Sequence, residues 1–306
     1  MAIRLFKSSV KGQNFAGPCT PTLEYIVVAG GGGAPGYYSA GGGGAGGYRS
    51  SVQGEMSGGG ASAEPLFRVT PGVTYNITVG AGGRGVLGDE SSDFANSGEN
   101  SSFDSIVSLG GGRGGCGQAG ADFPAVGGSG GGQRDQTPQI GAAGTTGQGY
   151  RGGNGNGNSY VGPYYPGTGG GGAGGTGGDQ SSTAVATNGG VGVQSSITGT
   201  ATYYAGGGGG SAQNGGTSGS GGNGGGGAAG NGSSIKGYPG DPGVNGTGGG
   251  GGAGNRSTGG SGGSGVVILR YSSGYPPAKR VTGSPIITTI PGYRVYKFLG
   301  NGSITF

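Results

Sequence analysis

The chain contains no histidine. That absence removes the side chain most often used as general base, triad member and metal ligand. Cysteine is nearly absent too: Cys19 and Cys116 are the only two, and two thiols so far apart do not make a zinc site. They could pair, although two cysteines without a secretion signal are more often free thiols. Residues 1–13 carry bases but no apolar signal core, and no hydrophobic run is long enough to insert in a membrane. No segment keeps a 3.6-residue apolar period, and glycine penalises helix throughout.

Charge is sparse, with 16 Lys and Arg against 12 Asp and Glu. The net +4 is unevenly placed. Asp89, Glu90, Asp93, Glu99 and Asp104 form an acidic loop without a base, while Lys279, Arg280, Arg294 and Lys297 lie in a C-terminal part without an acid. The plain reading is solvated surface; the sharper one is a contact between subunits that uses both groups. The acidic loop is also the one place for a two-carboxylate glycosidase or a Ca²⁺ site, but it lacks EF-hand spacing. We therefore expect no enzyme, no cofactor and no bound metal. The bases neither cluster nor alternate with glycine as in RNA-binding tails, so no nucleic-acid partner is expected.

What is abundant is glycine, 94 of 306 residues. It dominates residues 111–265 and is sparse in 61–110 and 266–306. Glycine loses more backbone freedom on ordering than any other residue and brings no side chain to bury. Such a stretch is either a flexible linker or is held by its own backbone groups. Its near neutrality favours order: Arg113, Arg134, Arg151, Lys236 and Arg256 balance Asp122, Asp135, Asp179 and Asp241. Extended three-residue-per-turn helices have no internal hydrogen bonds, and glycine alone lets them lie backbone to backbone. We expect a polyglycine II bundle, with rods such as 206–210, 224–227 and 248–252. A collagen-like period at 237–246 is too short for a triple helix.

Strand-like segments bracket this stretch. Residues 23–29, 66–70, 75–79, 103–109 and 266–269 are short β-branched or alternating runs. Residues 293–299 and 303–306 flank Gly300-Asn301-Gly302, a hairpin signal. The expected fold is all-β: a small jelly-roll-like β-sandwich with a large inserted polyglycine II helix bundle. Its parts would be an N-terminal anchor segment (1–22), the sandwich (23–110 with 264–306) and the insertion (111–263). Gly31-x-Gly33-x-x-Gly36 after a strand mimics a dinucleotide site, but Tyr37-Tyr-Ser-Ala-Gly-Gly-Gly-Gly44 comes next and cannot make the helix such a site needs.

Five segments together carry a resemblance: Tyr25-Ile-Val-Val-Ala-Gly-Gly-Gly-Gly33, Gly41-Gly-Gly-Gly-Ala-Gly-Gly-Tyr48-Arg49, Val69-Thr-Pro-Gly72, Tyr75-Asn-Ile-Thr-Val-Gly-Ala-Gly-Gly83 and Gly265-Val-Val-Ile-Leu-Arg-Tyr271. In order and spacing they resemble the glycine-rich domain of bacteriophage tail-fibre and other virion appendage proteins. The segment 293–306 departs from the pattern, because such a strand usually precedes the Val-Val-Ala-Gly-Gly run. The resemblance implies a virion protein, a tail-fibre tip or similar adhesin on the surface appendage, forming a homo-oligomer. Its expected partners are other virion proteins and a host cell-surface glycan or protein. A capsid decoration, connector or fibre-shaft protein without a receptor is the alternative, as is an extracellular matrix component. Tyr37, Tyr38, Tyr160, Tyr164, Tyr165, Tyr203 and Tyr204 sit in breaks between glycine runs and are the receptor-binding candidates; equally, their rings could cap the rods. Asp89, Glu90, Asp93, Lys279, Arg280, Arg294 and Lys297 are the assembly candidates.

Overall fold

The computed structural model of the chain describes residues 21–36, 39–87, 94–116, 123–134, 140–156, 163–232 and 237–306. Thirteen strands are present among them: β1 (Thr22–Val28), β2 (Tyr48–Ser50), β3 (Phe67–Arg68), β4 (Thr74–Thr78), β5 (Ser101–Phe103), β6 (Ile106–Ser108), β7 (Val193–Ser195), β8 (Thr202–Tyr204), β9 (Val266–Ser272), β10 (Arg280–Thr282), β11 (Ile286–Ile290), β12 (Tyr293–Phe298) and β13 (Gly302–Thr305). One 3₁₀ turn, Gly58–Gly60, is the only helical element among the described residues. The fold class is all-β.

The strands form two open sheets and a hairpin. One sheet runs β11-β12-β9-β1-β2, with β3 beside the start of β1; the other runs β10-β13-β4-β5-β6; β7 and β8 pair alone. The ladders are antiparallel throughout. Alternate side chains of β1, β9 and β12 point to opposite faces of the first sheet. Tyr25, Val27, Leu269, Tyr271, Tyr296 and Phe298 meet Tyr75, Ile77, Phe103 and Ile304 of the second sheet in one core. Ile26, Val28, Val266, Ile268 and Val295 pack on the other face, against Tyr48, Ala173, Val193, Ile197 and Tyr204. Burial on both faces explains why Val266-Val-Ile-Leu269 is a continuous apolar run rather than an alternating one.

Two local expectations change. Gly300-Asn301-Gly302 does not close a hairpin. Both sides of β12 are taken by β9 and β11, and β13 pairs with β10 and β4 in the other sheet. The tripeptide is a corner that carries the chain across the core, so that Phe298 and Ile304 enter it from opposite sheets. Asn301 fixes the corner by accepting the Val79 N–H at 2.9 Å on its side-chain oxygen. Residues 103–109 are not one strand either. Asp104 adopts φ 50°, a conformation that Asp tolerates better than most residues, and the chain turns back so that Phe103 faces Ile106. The C-terminal strands β12 and β13 find all their partners within the chain, with β12 separated from β1 by β9.

Glycine segments run on from the ends of β1, β4 and β9, and they are joined backbone to backbone. Gly30 and Gly33 donate to Glu99 and Asn96, Gly31 and Ala34 to Gly263 and Gly260, and Gly32 to Gly44. The same order recurs from Gly41: positions 41, 44 and 47 donate to Gly115, Gly112 and Leu109, positions 42 and 45 to Thr168 and Gly171, positions 43 and 46 to Gly251 and Gly248. The segment from Gly41 thus donates to three neighbours, each met again at every third residue, and accepts from three others through Gly32, Ser129 and Gly208. Neighbours run parallel or antiparallel without changing the period: Gly206 and Gly209 follow Gly224 and Gly227, whereas Gly207 and Gly210 meet Gly190 and Thr187. The approach leaves no room for a side chain. A Cβ on Gly43 would lie 2.1 Å from the Gly32 oxygen, and one on Gly208 1.9 Å from the Gly251 oxygen. Segments before residue 48 and after residue 247 belong to the same array as those between them.

Candidate functional site

The hairpin β7–β8 lies on the second face of the first sheet and splits one tyrosine pair. Strand alternation sends Tyr204 inward, where it is 2 % exposed, and Tyr203 outward, where it is 41 % exposed. The Tyr204 ring sits 6.5 Å from that of Tyr48, and burial pushes both hydroxyls above the ordinary tyrosine pKa. Tyr204 is therefore a core residue that presents no surface to a partner.

Tyr203 borders an open cleft of about 350 Å³, lined also by Met56, Tyr150, Val191, Val193 and Gln194. Gly174 and Gly192 contribute backbone to the lining. Met56 and Val191 are half-exposed, so the walls offer thioether, aliphatic and aromatic surface to solvent. The volume lies at the lower end of small-ligand pockets, and the lining combines apolar walls with few polar groups. Glu55 holds the Met56 loop in place by accepting both the Ser196 N–H at 2.8 Å and its hydroxyl at 2.7 Å. The glycine array supports the other wall: the Tyr150 N–H donates to Gly172 and the Gly174 N–H to Val191. Tyrosine and methionine present large apolar area at modest ordering cost.

The remaining candidates are scattered. Tyr164 and Tyr165 are half-buried and do not line the cleft. Tyr165 has φ 43°, and the Tyr164 carbonyl accepts from the Gln213 N–H at 2.7 Å. Tyr37, Tyr38 and Tyr160 lie outside the described residues, as do Asp89, Glu90, Asp93 and Cys19. Arg280 opens the edge strand β10 of the second sheet and Lys279 precedes it, while Arg294 and Lys297 are on β12 of the first. Arg294 shares a face of β12 with Tyr296, and Lys297 takes the opposite face. The four bases do not form one patch.

Sequence reasoning missed the ion pair that ties the hairpin to the sheet. Arg270 and Glu24 stand opposite each other on β9 and β1, with a 2.7 Å hydrogen bond from Nε to the carboxylate. The guanidinium also reaches the Ser196 carbonyl at 3.3 Å and stacks 4.5 Å from the Tyr293 ring centroid. A second knot joins Arg49, Glu64 and Tyr25: Arg49 donates twice to the Glu64 carboxylate at 2.7 Å, and the Tyr25 hydroxyl donates once at 2.7 Å. Burial first, and the neighbouring Glu64 carboxylate second, push the Tyr25 hydroxyl upward. Among the described residues no three His, Cys, Asp or Glu side chains come together, and no helix is long and apolar enough to cross a membrane.

Fold and cleft define a class of protein: an all-β scaffold in which short strands and apolar loops ride on stacked glycine backbones. Residues 13–272 match the glycine-rich domain family, and the chain belongs to that family. No curated protein and no solved structure matches it. The match ends at the last residue of β9, so β10 to β13 lie beyond it.

Proposed function

We propose that the protein is a structural component of a phage virion, at the tip of a tail fibre or a similar appendage, and that it binds the host surface. The single observation that carries this reading is the Tyr203 cleft, an exposed apolar and aromatic surface held between a strand hairpin and glycine backbone. Recognition on loops and edges of a rigid frame is the usual division of labour. We read the stacked glycine segments as polyglycine II rods, because the three-residue return of each neighbour is the period of that helix. The rods stand beside a small sandwich of the two sheets. The family resemblance in the sequence supports the virion setting, in which other virion proteins and a host glycan or protein are the partners.

The test is adsorption. Replacing Tyr203 and Met56 together by Ala should lower host binding severalfold while leaving the thermal midpoint within a few degrees of the parent, since both side chains are half-exposed. Normal adsorption per folded particle would remove the cleft from the contact. Antibody labelling that places the chain on the capsid or along a fibre shaft would favour a purely structural role.

A further inference from the structure

The outer edge of β11 is an open strand. Its inner edge pairs with β12 from Ile286↔Lys297 to Ile290↔Tyr293, and no hydrogen bond among the described residues reaches its other side. The other outer strands, β2, β6 and β10, are only three residues long and are partly engaged or charged. Outside β2, Tyr48 donates to the Gln148 carbonyl and Glu64 to that of Ser50. Outside β6, Arg49 reaches the Val107 carbonyl at 3.2 Å. The edge strand β10 is three residues long and begins with Arg280, a charge of the kind that discourages strand addition.

We propose that β11 pairs with β11 of a second copy of this chain, in antiparallel fashion about Thr288. Four features of the strand select that occupant. Ile-Ile-Thr-Thr-Ile is β-branched at every position, which suits a pleated ladder. Ile286 and Ile287 are each 52 % exposed, on opposite faces, so both faces lose apolar area on pairing. No charged residue lies between Arg280 and Arg294, so two copies meet without the like-charge repulsion that guards natural edges. The order is also self-complementary. A two-fold axis at Thr288 sets Ile286 against Ile290 of the other copy, Ile287 against Thr289, and Thr288 against itself. Cross-strand pairs of this kind are individually favourable.

Pro285 and Pro291 bracket the strand. Neither can donate to a ladder, so pairing is limited to the five residues between them. An isologous contact consumes both edges at once and closes as a dimer rather than growing into a filament. The result is one continuous sheet through two molecules, formed by a segment outside the part of the chain that matches the family.

Light scattering on the full chain after size exclusion tests this. The parent should elute as a dimer, and Ile286→Lys with Ile287→Lys should halve the mass while the far-ultraviolet spectrum stays that of the parent. A monomeric parent at every concentration of a dilution series overturns the proposal, and so does a dimer that survives in a folded double variant. If the double variant fails to fold, amide exchange on the parent decides. Protection of residues 286–290 must rise with protein concentration; protection that is the same at all dilutions overturns the pairing. Binding of an unrelated strand at this edge in place of a second copy would likewise overturn it.

Discussion

The two sheets and the glycine array solve the same problem by opposite means. Between the sheets, bulky side chains such as Tyr25, Phe103, Tyr296 and Phe298 exclude water, and the backbone ladder follows from their packing. In the array the backbone groups themselves are the contact surface. Each hydrogen bond contributes only about 1 kcal/mol net, so order there depends on many bonds made at once. The sheet region tolerates loss of one member of a crowd. The array is less forgiving, because a Cβ on glycines such as Gly43, Gly208 or Gly249 would strike the backbone of a neighbouring segment.

Gly43→Val attacks the second region where it is tightest. The new side chain would meet the Gly32 oxygen at 2.1 Å and displace backbone rather than a rotamer, so we expect no folded protein, read as loss of the thermal transition. Phe103→Ala removes a fully buried ring from the core between the sheets. It should cost about 3–5 kcal/mol and still leave a cooperative transition in a denaturant titration. If the glycine variant folds and the phenylalanine variant does not, the contrast between the regions is reversed.

Ion pairs sharpen the same comparison. Glu24→Gln strands Arg270, whose side chain is 10 % exposed in the sheet, and should cost about 3 kcal/mol. Asp179→Asn breaks the Arg151 pair beside the array, where the carboxylate side chain is 52 % exposed; such pairs contribute about 0–1 kcal/mol. Alkaline pH is a further probe. Tyr25, Tyr48, Tyr204 and Tyr271 all have hydroxyls raised by burial, and all belong to the cores on either face of the first sheet. The unfolded chain releases these protons first, from about pH 10, so stability is full below that pH and falls as pH rises toward the folded values. Melting followed against pH should show the sheets failing before the array. Gly300→Ala is the smallest change: open space surrounds its position and its φ is not positive, so stability should move by less than about 0.5 kcal/mol.

Much of the sheet framework is legible because side chains carry it. The alternation in β4 and the apolar run of β9 specify strand by themselves. What could not be read depends on partners far away in sequence. Tyr48-Arg49-Ser50 is a strand only because β1 offers its edge, and the opposite fates of Tyr203 and Tyr204 follow from β7, three residues inside a glycine-rich stretch. Gly300-Asn301-Gly302 carries a local hairpin signal that long-range pairing overrides. For the site, tyrosine in glycine breaks pointed to Tyr203, but Met56 and Val191 have no signal of their own. They become a wall through the bonds of Glu55 to Ser196 and of Gly174 to Val191.

The bare backbone contacts of the array also set how the protein responds to temperature. Unfolding exposes apolar surface with a positive heat-capacity change of about 0.45 cal/K/mol/Å² and polar surface with a negative one of about 0.26. Melting a layer built from peptide groups uncovers mostly the second kind. Such a layer adds enthalpy of unfolding while adding little curvature to the stability profile. Its contribution does not fade on cooling as hydrophobic burial does, so the scaffold keeps in the cold nearly the strength it has when warm.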